Sequence, residues 1–293
     1  TWKQDIENLN VGSEKKISIV DKRFNLKIKN FKGELEETCL TSRSNDGQLM
    51  FMLHMLSKMK DPKDGGSRIA SVHNGSALFT GDAGSSESGV RQYILENDLL
   101  EAIIALPLDI FYNTGQPTYI LILSNNKEAS RKGSVQLIKG DTFFKKMTKA
   151  LGNKKSELTT EHINSIVELY LKNKQNEFCQ IFSNKEFGYY TLKVKHSKDD
   201  FEEDIDFKDM EFVPLSNDID DYISNEILKY TPNAKVDLKA IKIGYSINFL
   251  EHFHRANAYR DLDKIIKDIE RLEEKSNGLL NTCLLYTSPS PRD

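Results

Sequence analysis

The chain has 293 residues, 38% apolar and 29% charged, with 41 Lys and Arg against 44 Asp and Glu and a net charge of −3. That allows one large domain or two ordinary ones. It is too apolar for a disordered chain and too balanced for a polycation that coats nucleic acid by charge alone. The longest apolar stretch, LLEAIIALPLDIFY (99–112), is broken by Glu101, Pro107 and Asp109. It falls short of the roughly 18 residues of a membrane span, and the start carries no signal peptide, so a soluble chain is expected. Cys39, Cys179 and Cys283 lie far apart with no CxxC or Cys/His cluster. Reduced thiols, a cytoplasmic location and no structural metal are expected.

The chain opens TWKQDIENLN without a Met and closes CLLYTSPSPRD, where composition switches to Ser, Pro and Thr. We read it as a fragment and 283–293 as a non-native tail. Residues 1–45 alternate charges with single apolar residues and read as irregular surface. The apolar spacing predicts a buried helix over 49–60, stopped at Asp61-Pro62. DPKDGGS (61–67) is a turn, and SRIASVHN (67–74) a short strand entering a buried sheet. A Gly- and Ser-rich loop (75–89) leads to a helix over 89–98, with Val90, Tyr93, Ile94 and Leu95 near one face. LLEAIIALP (99–107) and TYILILS (118–124) read as strands of a hairpin with an elaborated loop, and VQLIKGD (135–141) as another strand. This order predicts the later part of an α/β sheet, its parallel strands giving way to an antiparallel hairpin at one edge.

From 127 to 155 nine Lys and Arg stand against two acidic residues. A helix follows over 158–173, capped by Thr159 or Thr160, and then a strand over 187–194. Residues 198–211 hold eight acidic residues against two basic ones, which suits a solvated insertion. A helix over 217–230 and a strand-like stretch over 241–249 precede a last helix, 261–280. Its residues Leu262, Ile265, Ile266, Ile269 and Leu272 form a stripe that wants a partner surface. We divide the chain into 1–150, 151–260, 261–282 and the tail. The first 150 residues are net +3 and the remainder −6, a mild asymmetry that favours the first part as a nucleic-acid side.

Three segments carry most information in order: DGQLMFMLHMLSKMK, GSRIASVHNGSALFTGDAG and VRQYILENDLLEAIIALPLDIFYNTGQPTYILILSN. Together with VQLIKGD, FGYYTLKV, EFVPLSNDIDDYISNEILKYTPNAKVD and KIGYSINF, they make the chain resemble, over about residues 1–280, the modification subunits of type I restriction-modification systems. Those belong to the adenine-specific N-6 DNA methylase family. The resemblance implies a Rossmann-like sheet, with methyl transfer from S-adenosylmethionine to the exocyclic amine of adenine in double-stranded DNA. It also implies a DNA-reading specificity subunit and a restriction subunit as partners. The family's cofactor loop and its Asn-Pro-Pro-Tyr/Phe loop do not occur in this sequence. Thr1-Trp2-Lys3 resembles a stretch just downstream of the second. No catalytic or cofactor-binding residue is therefore assigned, and inactivity of the fragment alone is expected. A non-catalytic DNA-binding or assembly scaffold derived from such a methylase stays open as the alternative.

Duplex chemistry on a base requires extruding it into a pocket, and methyl transfer needs alignment more than a strong base. In related adenine methyltransferases an aromatic in the loop matching 106–123 packs on the flipped base. Phe111 is the first candidate and Tyr112 the second; both also suit a loop core that closes the sheet end. Asn113, Thr114 and Gly115 read as turn formers. Asn74, in His73-Asn74-Gly75, ends a strand where open α/β sheets bind ligands, and equally suits a turn. GDAGSSESG (81–89) could offer backbone N–H groups to phosphate, or be surface loop. Lys127, Arg131, Lys132, Lys145, Lys146 and Lys149, with Lys139, Lys154 and Lys155, are candidates for DNA backbone contacts or a wet face. His54 reads as a core histidine, and His252 with His254 lacks a third metal ligand. The resemblance gives the stripe on 261–280 the specificity subunit as its partner, the alternative being the chain's own surface.

Overall fold

The computed structural model describes residues 21–41, 46–112, 114–196, 207–232, 234–253 and 261–275. Thr1-Trp2-Lys3, Asn113, His254, Cys283, most of the acidic run and the tail lie outside them. The chain divides into two compact units, Thr1–Phe253 and His254–Asp293. Residues 151–253 share the first unit with the preceding strands.

The sheet at its centre has five strands. β3 (Arg68–Asn74), β4 (Leu100–Ala105), β5 (Thr118–Ser124), β6 (Ser134–Lys139) and β9 (Cys179–Ser183) lie in the order β3-β5-β4-β6-β9. β4 and β6 are parallel, and every other pair is antiparallel. The α/β class holds, but β5 lies between β3 and β4 rather than at an edge. TYILILS is apolar on both faces, and all of it but Ile120 is buried, which demands covered neighbours on either side. β3 alternates between exposed and covered positions instead, the pattern of an outer strand.

On one face, Ile103, Leu121, Leu123, Val135 and Leu137 pack with α1 (Gln48–Leu56) and α3 (Ser86–Glu96) into the main core. Full burial of each such aliphatic contributes about 1.5–3 kcal/mol. On the other face, Ala102, Ile104, Ile122 and Ile138 meet Ile166 of α4 (Thr160–Lys172). Thr159 caps α4 in a box with His162. Between β3 and α3 lies a one-turn helix, α2 (Ser76–Phe79).

Residues 21–41 are not irregular. β1 (Asn25–Lys29) and β2 (Leu35–Cys39) form an antiparallel hairpin, with Leu26 and Ile28 on the core side and Gly33 at φ 81° in its turn. The basic run after β6 likewise folds as a hairpin, β7 (Lys145–Leu151) with β8 (Lys154–Glu157). A second sheet pairs β10 (Gly188–His196) with β11 (Phe207–Pro214), β12 (Lys235–Val236) and β13 (Lys242–Tyr245). The helix expected over 217–230 is one α-turn, α5 (Ile219–Tyr222), continued as a π-turn over Ile223–Ile227. α6 (Phe249–Phe253) closes the first unit. In the second, α7 (Leu262–Lys275) exposes Leu262, Ile266, Ile269 and Leu272, with Ile265 half-buried. No described helix is long and apolar enough to cross a membrane.

Candidate functional site

β3, β4 and β6 run in the same direction, so their C-terminal ends share one rim with the N-termini of β5 and β9. Open α/β sheets bind ligands at such a rim. The strand ends bring Asn74, the loop 106–117, Thr118 and the turn Gly140-Asp141 to it. Gly140 is required here, because a Cβ would stand 2.6 Å from the Ala105 carbonyl.

Asn74 is held from two sides. Gln48 Nε2 donates to Asn74 Oδ1 at 2.8 Å, and Asn74 N donates to Gln48 Oε1 at 2.9 Å. Ser76 donates through its amide to Asn74 Oδ1 and through its hydroxyl to Asp46 Oδ2 at 2.8 Å. Burial works against the Asp46 charge, yet the donors Gln48 and Ser76 hold its carboxyl below the ordinary carboxylate range. Next door, burial lowers the His73 imidazole pKa, with Asp46 pulling the other way. His73 Nδ1 and Nε2, Thr118 Oγ1 and Asp141 Oδ1 are buried without a hydrogen-bond partner. Buried polar atoms are seldom left so, and these cluster near one rim. His73 is opposite Tyr119 and Asn74 opposite Thr118 in the sheet register. Asp141 is near enough to Tyr119 to reinforce the burial that raises its phenol.

The loop between β4 and β5 carries the candidate aromatics. Phe111 is 38% exposed and Tyr112 58%, so neither is sheet core. Phe111 forms a bridge with Thr114. The neighbouring β7–β8 hairpin secures the loop. Asn153 N donates to Tyr112 O at 3.2 Å, and Lys155 N and Ser156 N to Asp109 O at 3.0 and 3.2 Å. Lys154 Nζ stands 5.3 Å from the Tyr112 ring centroid. None of these hairpin contacts is legible in the sequence, although the Gly152-Asn153 turn pair between lysines is a signal for the hairpin itself.

The basic stretch splits into two populations. Lys132, Lys145, Lys146 and Lys149 are exposed. Lys127 and Arg131 are not and must be removed from the phosphate-contacting set. The Lys127 side chain is buried, with Nζ 2.6 Å from Asp98 Oδ1. Arg131 lies 3.5 Å from buried Glu101, donates to Gln136 Oε1 at 2.9 Å and to Tyr170 O, and stacks on the Tyr170 ring. Both pair with acidic groups at the start of β4, and no periodicity in the sequence marks that. In the first turn of α3 the Ser88 amide is taken by Ser85 Oγ, the helix cap. Half-buried His54 meets Arg23 at 2.8 Å, and His252 packs against Phe182 and Phe187.

A cavity of 570 Å³, lined by Phe31, Glu96, Asp98, Tyr190 and Tyr245 among others, lies toward the opposite rim. It shares no residue with the cluster around Asn74. The N-terminal strand ends that open there are not where such sheets place ligands.

The family described as N-6 DNA methylase matches residues 16–205. The type I restriction enzyme MjaVII methylase subunit of Methanocaldococcus jannaschii is 36% identical over 103 residues, 35% of this chain and 17% of that protein. The MjaVIII methylase subunit of the same organism is 33% identical over 138 residues, 46% of this chain and 23% of that protein. Among solved structures, a type I restriction-modification system methyltransferase subunit from Streptococcus thermophilus aligns with a TM-score of 0.43 and 26% identity, over 50% of this chain and 28% of that one. The matches thus span only 17% and 23% of these two curated relatives.

Proposed function

Since the chain belongs to the N-6 DNA methylase family, we propose that it is part of a type I DNA adenine methyltransferase subunit and supplies one wall of the target-base pocket. The carrying observation is the exposed Phe111 ring on the rim loop, on the sheet end that also bears Asn74 and the unpartnered Thr118 and Asp141 oxygens. An extruded adenine offers a π-face to an aromatic and polar edges to hydrogen-bonding atoms. Stacking on one aromatic contributes about 1–3 kcal/mol per base. Exposed Lys132, Lys145, Lys146 and Lys149 would meet the DNA backbone, adding affinity without choosing sequence. The stripe on α7 would engage the specificity subunit, and a restriction subunit would complete the assembly.

S-adenosylmethionine would supply the electrophilic methyl group. The described residues do not form its cradle. The carboxylate of Asp46 is already taken by Gln48 and Ser76, and Ser85 Oγ takes the Ser88 amide in the first turn of α3. We therefore assign donor binding to other parts of the whole protein, and derive no transfer step from this chain. Its residues stack, orient and exclude water, which is how alignment accelerates such a reaction.

The test uses the whole methylase with its specificity subunit. Single-turnover methylation of duplex DNA should fall roughly 10- to 100-fold in Phe111→Ala, as expected when one ring stops stacking on the base, and recover in Phe111→Tyr. Unchanged methylation in Phe111→Ala would remove the ring from the pocket.

A further inference from the structure

We propose that the β7–β8 hairpin is a positioning arm that couples DNA backbone contact to the aromatic loop, with Lys154 as its positioning residue. This rests on the base-pocket reading for its consequence, though not for its geometry. The hairpin and the loop are separated by about thirty residues of chain, including two central strands, yet they are joined at three main-chain hydrogen bonds. Asn153 N reaches Tyr112 O, and Lys155 N and Ser156 N converge on Asp109 O.

Both partners adopt unusual backbone to make these bonds. Gly152 is at φ 62° and Asp109 at φ 57°. A left-handed turn costs glycine little, and aspartate is among the few other residues that tolerate it. The adjoining side chain adds a fourth tie, since the Lys154 ammonium lies over the Tyr112 ring at 5.3 Å. A cation in that place favours one ring orientation.

The rest of the hairpin points outward. Lys145, Lys146, Lys149 and Lys155 are exposed, while Lys154 is half-buried. Five lysines on one short arm fit a polyanionic backbone. Four of them can reach it, and the fifth is turned inward to the loop. A phosphate contact that shifts the arm is transmitted through Asn153, Lys155 and Ser156 to Tyr112 and Asp109, and so to Phe111 beside them. Binding duplex at the arm and presenting a ring to the extruded base become one event.

The experiment compares Lys154→Ala, Lys154→Arg and Lys155→Ala in the whole methylase bound to its specificity subunit. Amide hydrogen exchange is followed at 109–112 and at Asn153, Lys155 and Ser156. In parallel, the fluorescence of 2-aminopurine at the target adenine reports extrusion on DNA. In Lys154→Ala, exchange in both segments should quicken by about two- to fivefold, matching the removal of one cation from over the ring, and the extruded fraction should fall by a similar factor. Lys154→Arg should restore both readouts. Lys155→Ala should weaken DNA binding and its salt dependence; because Lys145, Lys146 and Lys149 still hold the arm to the backbone in every complex that forms, the extruded fraction per bound complex should stay unchanged. Exchange unaltered in Lys154→Ala, or an extrusion loss in Lys155→Ala equal to that in Lys154→Ala, would overturn the arm. Faster exchange with undiminished extrusion would uphold the coupling of hairpin to loop and overturn the base-pocket reading instead.

Discussion

The side-chain amide of Gln48, at the start of α1, pairs edge to edge with Asn74 at the end of β3, with bonds of 2.8 and 2.9 Å. The two residues are 26 apart in sequence, and the pair fixes the direction in which Asn74 presents its remaining polar capacity. Asn74 is thus neither a plain turn residue nor a free base reader. It is an oriented amide whose carbonyl oxygen is already accepting.

Removing Gln48 should therefore act at the rim before it acts on the core. Gln48→Ala leaves the Asn74 N–H seeking a new partner at a half-buried site, while Ser76 still donates to Asn74 Oδ1. A stranded polar group of this kind costs about 1–3 kcal/mol. Gln48→Glu keeps the acceptor for Asn74 N but loses the donor to Asn74 Oδ1 and to Asp46, and sets a second carboxylate beside Asp46. Thermal unfolding should rank wild type above both Gln48→Glu and Gln48→Ala. Equal midpoints for all three would mean that the pair is solvent-replaceable.

Much of the sheet is legible in the sequence because its signals are local. TYILILS and LEAIIA are apolar runs that only a covered strand can hold, and the turn cluster between them marks the hairpin. What is not legible is where β5 goes. A hairpin partner reads as a neighbour, and nothing in the residues 118–124 says that Arg68–Asn74 closes on the other side. The β1–β2 hairpin escapes notice because Leu26 and Ile28 are only two inward residues among lysines, too short a period-2 signal beside Lys22, Arg23, Lys27 and Lys29.

The site divides in the same way. Phe111 and Tyr112 are candidates by resemblance and Asn74 by its place at a strand end, where such sheets bind ligands; that the residue and the loop share one rim follows from the strand order. Lys127 and Arg131 mislead because a lysine run looks the same whether it faces water or a buried acid. Their partners Asp98 and Glu101 lie 29 and 30 residues upstream, in the turn before β4 and on β4 itself. The Lys154–Tyr112 contact crosses 42 positions for the same reason. Long-range pairings of polar side chains have no periodicity to read.

Stability should depend on pH through His73. Burial lowers its folded pKa below the unfolded value of about 6.5, with Asp46 opposing that shift. Its neutral form is the one the fold accepts. The stabilising contribution is present above the unfolded pKa and is lost as pH falls from there toward the folded pKa, because the unfolded chain then binds the extra proton. Asp46 has a depressed pKa too, but its loss belongs below the usual carboxylate value of about 3.9. Melting midpoints between about pH 7.5 and 5 should fall in the wild type and fall less in His73→Met, with the two curves parallel at lower pH. Identical slopes for both proteins across the upper window would show that His73 does not titrate on unfolding.

The stripe on α7 makes a prediction about assembly. Leu262, Ile266, Ile269 and Leu272 are between 44 and 69% exposed, more apolar surface than a single solvated helix needs. On the proposed assembly, Ile265→Asp with Ile269→Asp should prevent co-purification with a specificity subunit, while leaving the melting of the first unit unchanged. Full assembly of the double variant would move the partner surface elsewhere on the protein.

The two groups of basic residues should separate cleanly under mutation. Arg131 faces the buried carboxylate of Glu101, which also accepts from Tyr170 Oη at 2.7 Å and from Arg68 at 3.2 Å. Burial, then that carboxylate, pushes the Tyr170 phenol up to about 12. Arg68 is itself half exposed, so it compensates poorly for a missing Arg131. Arg131→Ala leaves a buried charge underpaired, which typically costs about 3–5 kcal/mol. Its DNA affinity, measured on the folded fraction, should be near wild type. The quadruple variant with glutamine at Lys132, Lys145, Lys146 and Lys149 should show the reverse. Its melting should barely change, since exposed charges contribute little to stability. Its log-affinity against log-salt slope should flatten by about 0.9 for each phosphate no longer neutralised, or roughly 3–4 in all. A full slope in the quadruple variant would take these lysines off the DNA, and a slope lowered by Arg131→Ala with undiminished stability would put Arg131 back on it.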